Sequence, residues 1–193
     1  DDDPGRLEPI ESLPPWTHRS VLNGVDRMAS STLISLLDAD RSIGLRLSEL
    51  TDHRRIEVCQ LTTRCLGHMG RFDALVTGLN DVGQKTYWKY YFATLQKALA
   101  RGPDTAAEVL GALERLRGTE ALALFRMLRG YSPDDLENGG AQQLVEYLAH
   151  DKVDFRVLAF ENLKDITQKS GSYQPWYTEK RRRPLVNRWI EDL

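Results

Sequence analysis

The side chains best suited to bind a ligand cluster near the end of the sequence, where two aromatic residues precede a basic run. The segment consists of Trp176, Tyr177, Thr178, Glu179, Lys180, Arg181, Arg182 and Arg183. Such a segment can hold phosphates while an aromatic ring stacks on a base, and it can equally bind an acidic partner. Pro184 follows directly, so the run occupies a loop or the first turn of a helix. The alternative interpretation is a solvated basic edge without a ligand.

A second aromatic run occupies residues 87–92. On a helix, Trp88, Tyr91 and Phe92 share one broad face, which is typical of a core-facing side. Tyr90 points away from that face and has Lys97 on the same outer side. An exposed tyrosine beside a lysine suits a contact with another protein, because aromatic residues are enriched at interfaces. The alternative is a tyrosine that a neighbouring helix covers.

Catalytic and cofactor motifs are missing from the sequence, which has no GxSxG, HExxH, P-loop or GxGxxG. Cys65 and His68 lie three residues apart and offer two zinc ligands, whereas a structural zinc site needs four. Acidic pairs such as Asp134 and Asp135 fall where helix ends are expected, and capping explains them. We therefore expect no enzymatic activity, no cofactor and no metal.

Composition places the chain among ordinary globular proteins. It has 193 residues, 41% of them hydrophobic and 28% charged, with a net charge of −2. The isoelectric point of about 6.1 argues against a dedicated nucleic-acid binder, since such domains usually exceed about 9. No apolar run approaches the roughly 20 residues that a membrane span requires. Two cysteines provide no disulfide framework and fit buried free thiols.

Helical periodicity and helix punctuation recur along the chain, whereas alternating strand patterns do not. The predicted helices span 19–37, 43–50, 54–68, 72–79, 85–100, 105–116, 120–128, 141–149, 153–168 and 179–192. A Ser-Pro-Asp-Asp sequence at 132–135 adds an N-cap with proline at the first helical position. The proline-bearing residues 1–16 are predicted to form a linker, which leaves one helical domain over 17–193. The start DDDPG, without methionine, favours a fragment of a longer protein, with processing at that point as the alternative.

Two passages of the chain each contain two successive helices. In LGHMGRFDALVTGLND, residues 66–81, a helix ends at a glycine and the next helix ends at Asn-Asp. In LVEYLAHDKVDFRVLAFENLKDIT, residues 144–167, an apolar helix leads to an aspartate and a long second helix follows. Both passages resemble HEAT repeats. The final stretch YQPWYTEKRRRPLVNRWIEDL is also similar to HEAT-like domains of large multidomain planctomycete proteins of unknown function. The resemblance implies an all-α fold, a short right-handed α-solenoid of HEAT-like helical hairpins.

Within this fold, Arg156 falls in an apolar stripe of the helix 153–168, and its charge must be paired if it is buried. We predict an ion pair with Asp151, which would reach back across the turn. The helix 179–192 is predicted to cap the stack through one apolar face. That face carries Leu185, Val186, Trp189, Ile190 and Leu193.

The favoured function is a non-enzymatic protein-interaction or scaffold module, a monomeric domain within a larger protein whose partner is an unknown protein or peptide. Stacked helical hairpins provide an extended surface suited to such contacts. The alternative is a nucleic-acid-binding domain that resembles the HEAT-like DNA glycosylases and uses the basic, aromatic C-terminal segment. The acidic balance of the chain disfavours that alternative. A purely structural spacer is the third hypothesis.

Overall fold

The structure, a computed structural model, describes residues 24–37, 40–169 and 171–192, and every regular element among them is helical. The α-helices are α1 (Gly24–Leu36), α2 (Ile43–Glu49), α3 (Ile56–His68), α4 (Asp73–Leu79), α5 (Trp88–Leu99), α6 (Pro103–Arg117), α7 (Ala121–Arg129), α8 (Pro133–Asp135), α9 (Ala141–Leu148), α10 (Val153–Thr167) and α11 (Glu179–Asp192). Three short 3₁₀ turns, Leu50–Asp52, Val82–Tyr87 and Gly118–Glu120, and a π-helical turn, Leu136–Gly140, join some of these helices. The all-α prediction is confirmed for this part of the chain, and the predicted linker 1–16 lies outside the described residues.

Local sequence signals set some of the helix boundaries. The Ser132 hydroxyl accepts the main-chain N–H of Asp135 at 3.1 Å, while the Asp135 carboxylate accepts the main-chain N–H of Ser132 at 3.0 Å. This reciprocal capping box begins α8 and confirms the predicted N-cap. Pro103 occupies the first turn of α6, so α6 begins before the predicted start at 105. The predicted helix 85–100 divides instead into a 3₁₀ turn and α5, which begins at Trp88.

Consecutive helices pack as hairpins, with α4 against α5, α6 against α7 and α9 against α10. Neighbouring hairpins lie side by side, since α6 also contacts α4 and α7 also contacts α5. In an extended solenoid each repeat contacts only its neighbours. Here α10 contacts α7 and also reaches α5, which belongs to an earlier hairpin. The helices from α4 to α11 therefore surround one shared hydrophobic core.

The centre of this core is α10, in which every residue from Val153 to Phe160 is buried. A helix that is buried on both sides needs internal partners for its polar groups. The Asn162 amide supplies one link, because it donates hydrogen bonds to the carbonyl oxygens of Leu158 and Met127 at 2.8 and 2.9 Å. That bond to Met127 fixes α10 against α7.

An ion pair joins the end of α6 to the start of α10. Arg117 Nη2 lies 2.8 Å from Asp154 Oδ2, and the two side chains are only 9% and 2% exposed. Burial raises the pKa of Asp154 above its ordinary value, and the Arg117 guanidinium opposes that rise. Glu120 lies 3.4 Å from Arg117 and 2.6 Å from Lys152, so the charges alternate in sign outward to the surface.

The predicted ion pair between Asp151 and Arg156 is corrected by the structure. Arg156 is buried, but its Nη1 donates to the main-chain carbonyl oxygens of His150 and Asp151, at 2.6 Å each, and its Nε donates to the Pro175 carbonyl at 2.7 Å. The Asp151 residue is exposed. The turn between α9 and α10 presents the carbonyl groups of His150 and Asp151, and one guanidinium with several N–H donors satisfies both at once.

Helix α11 packs against α9 and covers the core at this end. Val186 and Trp189 are buried, and Leu185 is half-buried. Ile190 was predicted to share the buried face, but 63% of it is exposed. It lies beside the groove between α9 and α11 instead of under a neighbouring helix. Leu193, the last predicted member of that face, lies outside the described residues.

Candidate binding surfaces

Trp176 stands in the segment between α10 and α11, and the fold brings it against α5. Its ring centroid lies 6.1 Å from that of Trp88, with the planes tilted by 52°. Trp88 is held in place because its indole N–H donates to the carbonyl oxygens of Gly78 and Asp81 at 2.9 and 3.1 Å. Trp176 remains 36% exposed and forms a wall of an open groove.

The groove beside Trp176 is lined by three lysines from three elements, the 3₁₀ turn Val82–Tyr87, α5 and α10. We call it the lysine–tryptophan groove, and its defining residues are Lys85, Trp88, Lys89, Lys164 and Trp176. Its volume is about 400 Å³, which lies within the roughly 300–1,000 Å³ of typical ligand sites. Lys85 and Lys89 are four residues apart across the start of α5, a spacing that places both on one side. The ammonium of Lys85 lies 5.2 Å from the centre of the Trp176 ring.

The charges of this groove do not balance. Glu161 also lines it and holds the ammonium of Lys164 at 3.0 and 3.1 Å through both carboxylate oxygens. Three lysines and one glutamate leave two excess positive charges, although the whole chain carries −2. Below the lysines, the floor is apolar and includes Val157 and Phe160 of α10. The arrangement can hold an anion above a hydrophobic floor.

The rest of the predicted basic segment lies at the start of α11 and does not line this groove. The Arg181 guanidinium stacks on the Tyr177 ring at 3.6 Å from its centre and donates to the Tyr177 hydroxyl at 2.9 Å. Lys180 and Arg183 are exposed. The structure thus brings Tyr177 and Arg181 together as a surface pair. The Tyr177 ring also meets the Trp176 ring edge-on, with centroids 6.0 Å apart, and Trp176 in turn lies beside Lys85.

Arg182 departs from the prediction that it belongs to an exposed basic patch. Only 8% of it is exposed, and its Nη1 donates to the main-chain carbonyl of Tyr177 at 2.6 Å. On a helix, Arg182 lies on the same side as Val186 and Trp189, which face the core. Its role in the fold is to hold the turn before α11 against the first turn of that helix.

Tyr90 and Lys97, the two contact residues predicted on α5, have different environments. Tyr90 is half-buried, since it packs on the main core and lies under the Arg64 guanidinium, 4.7 Å from the ring centre. Its neighbour Tyr91 meets it edge-on at 6.2 Å. This geometry favours the alternative in which a neighbouring helix covers Tyr90. Lys97 is exposed on the outer side of α5.

A second groove lies between α9 and α11 and is mostly apolar. We call it the apolar groove. It has a volume of about 700 Å³, and its defining residues are Leu136, Ala141, Val145, Ala149, Val186 and Ile190. Ala141, Val145 and Ala149 recur every four residues along α9, as do Val186 and Ile190 on α11, and such rows form ridges with a channel between them. Val145 and Val186 are buried at the bottom of the channel, whereas Ile190 stands exposed at its side.

The rim of the apolar groove is acidic on one side. Glu137 and Glu146 line it together with Gln142, whose amide donates to Glu146 at 2.9 Å. The π-helical turn contributes Leu136, Glu137 and Gly139 to the lining, and Gly139 has a φ of +94°. Sequence patterns did not single out this groove, because its walls come from two helices that pack together only in the folded chain. The sequence feature that could have indicated the groove is the four-residue spacing of small and branched apolar residues on each of the two helices.

Within the described residues, no group of three or more His, Cys, Asp or Glu side chains is placed to hold a metal ion. The helices of that part of the chain also include none that is long and apolar enough to cross a membrane. No known protein family matches this chain, and neither the curated proteins nor the solved structures include a significant match to it.

Proposed function

We propose that this chain is a non-enzymatic protein-interaction module of HEAT-like helical hairpins that receives a helix of a partner protein in the apolar groove. The observation that carries the proposal is the exposure of Ile190, 63%, beside a channel lined by small and branched side chains. A large exposed apolar side chain next to an open apolar channel is a feature of interaction sites.

The dimensions and the lining of the groove support a helical partner. Two packed helices whose lining residues recur in rows of four leave a channel into which the side chains of a third helix can pack. Recognition of this kind uses apolar residues of the partner at helical spacing, i, i+3 or i+4, and i+7. The carboxylates of Glu137 and Glu146 on the rim favour partner helices that carry lysine or arginine beside that apolar stripe.

The proposal is tested by selecting binders from a displayed library of amphipathic helical peptides, with the variant Ile190→Asp used to remove peptides that bind elsewhere. We expect the surviving peptides to combine an apolar stripe with flanking basic residues. Ile190→Asp should weaken binding of the selected peptides about ten-fold or more, since it replaces the large exposed apolar side chain of the groove by a charge.

Leu122→Asp is the matched control. Leu122 on α7 is an isoleucine-sized residue with 67% exposure, and it does not line the apolar groove. Its substitution introduces the same charge and should leave the affinity of the selected peptides unchanged. Failure to obtain any peptide that discriminates Ile190→Asp from the wild type, or enrichment of acidic flanks, would contradict the proposal.

Nucleic-acid binding in the manner of HEAT-like DNA glycosylases is the second candidate function. It is supported by the exposed residues Lys180, Arg181 and Arg183 together with the half-buried Tyr177, a basic surface with an aromatic ring. A titration of single-stranded and duplex DNA at low and moderate salt tests it, because phosphate contacts give a steep salt dependence. Absence of binding at low salt would end this candidate.

A further inference from the structure

We propose that the lysine–tryptophan groove is a binding site for an organic phosphate, separate from the apolar groove. The phosphate would lie among the ammonium groups of Lys85, Lys89 and Lys164, and the carbon skeleton of the ligand would lie on the apolar floor. The two grooves lie on different elements: this one is formed by α5, α10 and the segment before α11.

The sign of the ligand charge follows from the lining. Three ammonium groups face one cavity whose lining includes one carboxylate, that of Glu161. Lys85 and Lys89 are exposed, and neither has a hydrogen-bond acceptor among the described residues. Like charges gathered on one face repel one another, and an anion placed between them relieves that repulsion.

The cationic side chains of the groove are lysines, and this favours phosphate over carboxylate as the bound anion. Arginine presents a planar fork that matches the two oxygens of a carboxylate, whereas lysine presents a compact charge that serves well as a phosphate ligand. The lining contributed by the described residues contains lysine and no arginine. Thr86 adds a hydroxyl and Gln174 adds an amide, which can complete the hydrogen bonds of phosphate oxygens.

An organic ligand is favoured over a free ion by the size and the floor of the groove. A volume of about 400 Å³ exceeds what inorganic phosphate fills. The floor is formed by Val157 and Phe160 of α10, and Trp88 and Trp176 contribute aromatic surface. An aromatic or aliphatic body attached to the phosphate can bury apolar surface there.

The test is isothermal titration calorimetry of the whole chain with five probes: adenosine monophosphate, adenosine, inorganic phosphate, succinate and a short single-stranded oligonucleotide. We expect the monophosphate to bind more tightly than inorganic phosphate, and adenosine and succinate to bind more weakly than the monophosphate. Lys89→Glu should lower the affinity for the monophosphate about ten-fold or more, because it removes one charge-assisted contact and adds a repulsive charge.

Lys97→Glu is the matched control, since Lys97 lies on the same helix, is exposed and is outside the groove. Both variants change the net charge of the chain equally. Electrostatic interactions are screened over about 8 Å at physiological salt, so the affinity of Lys97→Glu for the monophosphate should stay close to that of the wild type. Glu161→Gln should strengthen binding by up to about five-fold, because it releases Lys164 from its ion pair.

The proposal is overturned if no phosphate probe binds at millimolar concentration, or if adenosine or succinate binds as tightly as the monophosphate. An equal loss of affinity for the monophosphate in Lys89→Glu and Lys97→Glu would also overturn the proposal, because the attraction for the anion would then come from the charge of the whole surface. Binding that requires an oligonucleotide, and is not seen with the monophosphate, would assign the groove to a nucleic-acid strand instead.

Discussion

Replacing Arg117 by methionine is the most informative perturbation of this fold. The substitution keeps a long apolar side chain but leaves the carboxylate of Asp154, 2% exposed, without its cation at 2.8 Å. Breaking a buried ion pair by removing one partner costs about 3–5 kcal/mol. For a chain of this length a loss of 1 kcal/mol lowers the melting temperature by roughly 2–4 °C, so we expect a decrease of about 6–20 °C.

The pH dependence of that loss has a defined sign. Burial already raises the pKa of Asp154, and Arg117 opposes the rise, so removing Arg117 raises the pKa further. A carboxyl with a raised pKa in the folded state favours folding when it is protonated, at low pH, and loses that contribution as pH rises through its folded-state pKa. The destabilisation by Arg117→Met should therefore be largest at neutral pH and smaller in mild acid. Urea unfolding at several pH values measures it.

Arg115→Met provides the control, because Arg115 lies 2.9 Å from Asp73 in an ion pair of similar length that is 61% and 46% exposed. Exposed pairs contribute about 0–1 kcal/mol, so this variant should unfold nearly like the wild type. The double variant Arg117→Met with Asp154→Leu should recover most of the loss, since no charge is left buried alone. Equal effects of Arg117→Met and Arg115→Met, or additive losses in the double variant, would refute the reasoning.

Three further predictions concern single sites. Gly139→Ala should destabilise the chain by about 1–2 kcal/mol, because φ at Gly139 is +94°. Gly111→Ala inside α6 should instead stabilise it by up to about 1 kcal/mol. Urea unfolding measures both, and changes of the same sign would contradict the prediction. The main-chain N–H of Ser132 and the Arg126 guanidinium lower the pKa of Asp135 from 3.8 to about 2. Arg126→Gln should raise this pKa without restoring it to 3.8, because the hydrogen bond from Ser132 remains; an NMR titration measures it. Burial raises the pKa of Cys59 to about 11. Iodoacetamide should therefore modify the Cys59 thiol more slowly in the native chain than in the unfolded chain, as followed by mass spectrometry. Equal rates of modification would contradict this prediction.

Much of the helical framework is determined by short-range chemistry and could be predicted from the sequence. The boundaries of α10 and α11 were predicted within a residue, because the apolar periodicity of each helix is local. The start of α8 followed from a serine and a proline in the right order. Trp88 and Trp189 were expected in the core, and both are buried.

Side-chain partners from distant parts of the chain could not be predicted in this way. Arg117 and Asp154 form a buried pair, yet neither residue belongs to a motif, and only the docking of α10 against the hairpin of α6 and α7, through α7, brings them together. Arg156 was expected to need a partner because it lies in an apolar stripe, and that expectation was sound. Its acceptors are main-chain carbonyls, which carry no sequence signature.

The sequence by itself determined that this chain forms helices and that its C-terminal segment combines aromatic and basic side chains, because both properties depend on residues close in the chain. Tertiary structure decided how those side chains are used. It buries Arg182, stacks Arg181 on Tyr177 and places Trp176 beside Lys85. A binding surface is a set of neighbours in space, and those neighbours are fixed only when α5, α10 and α11 close around their common core.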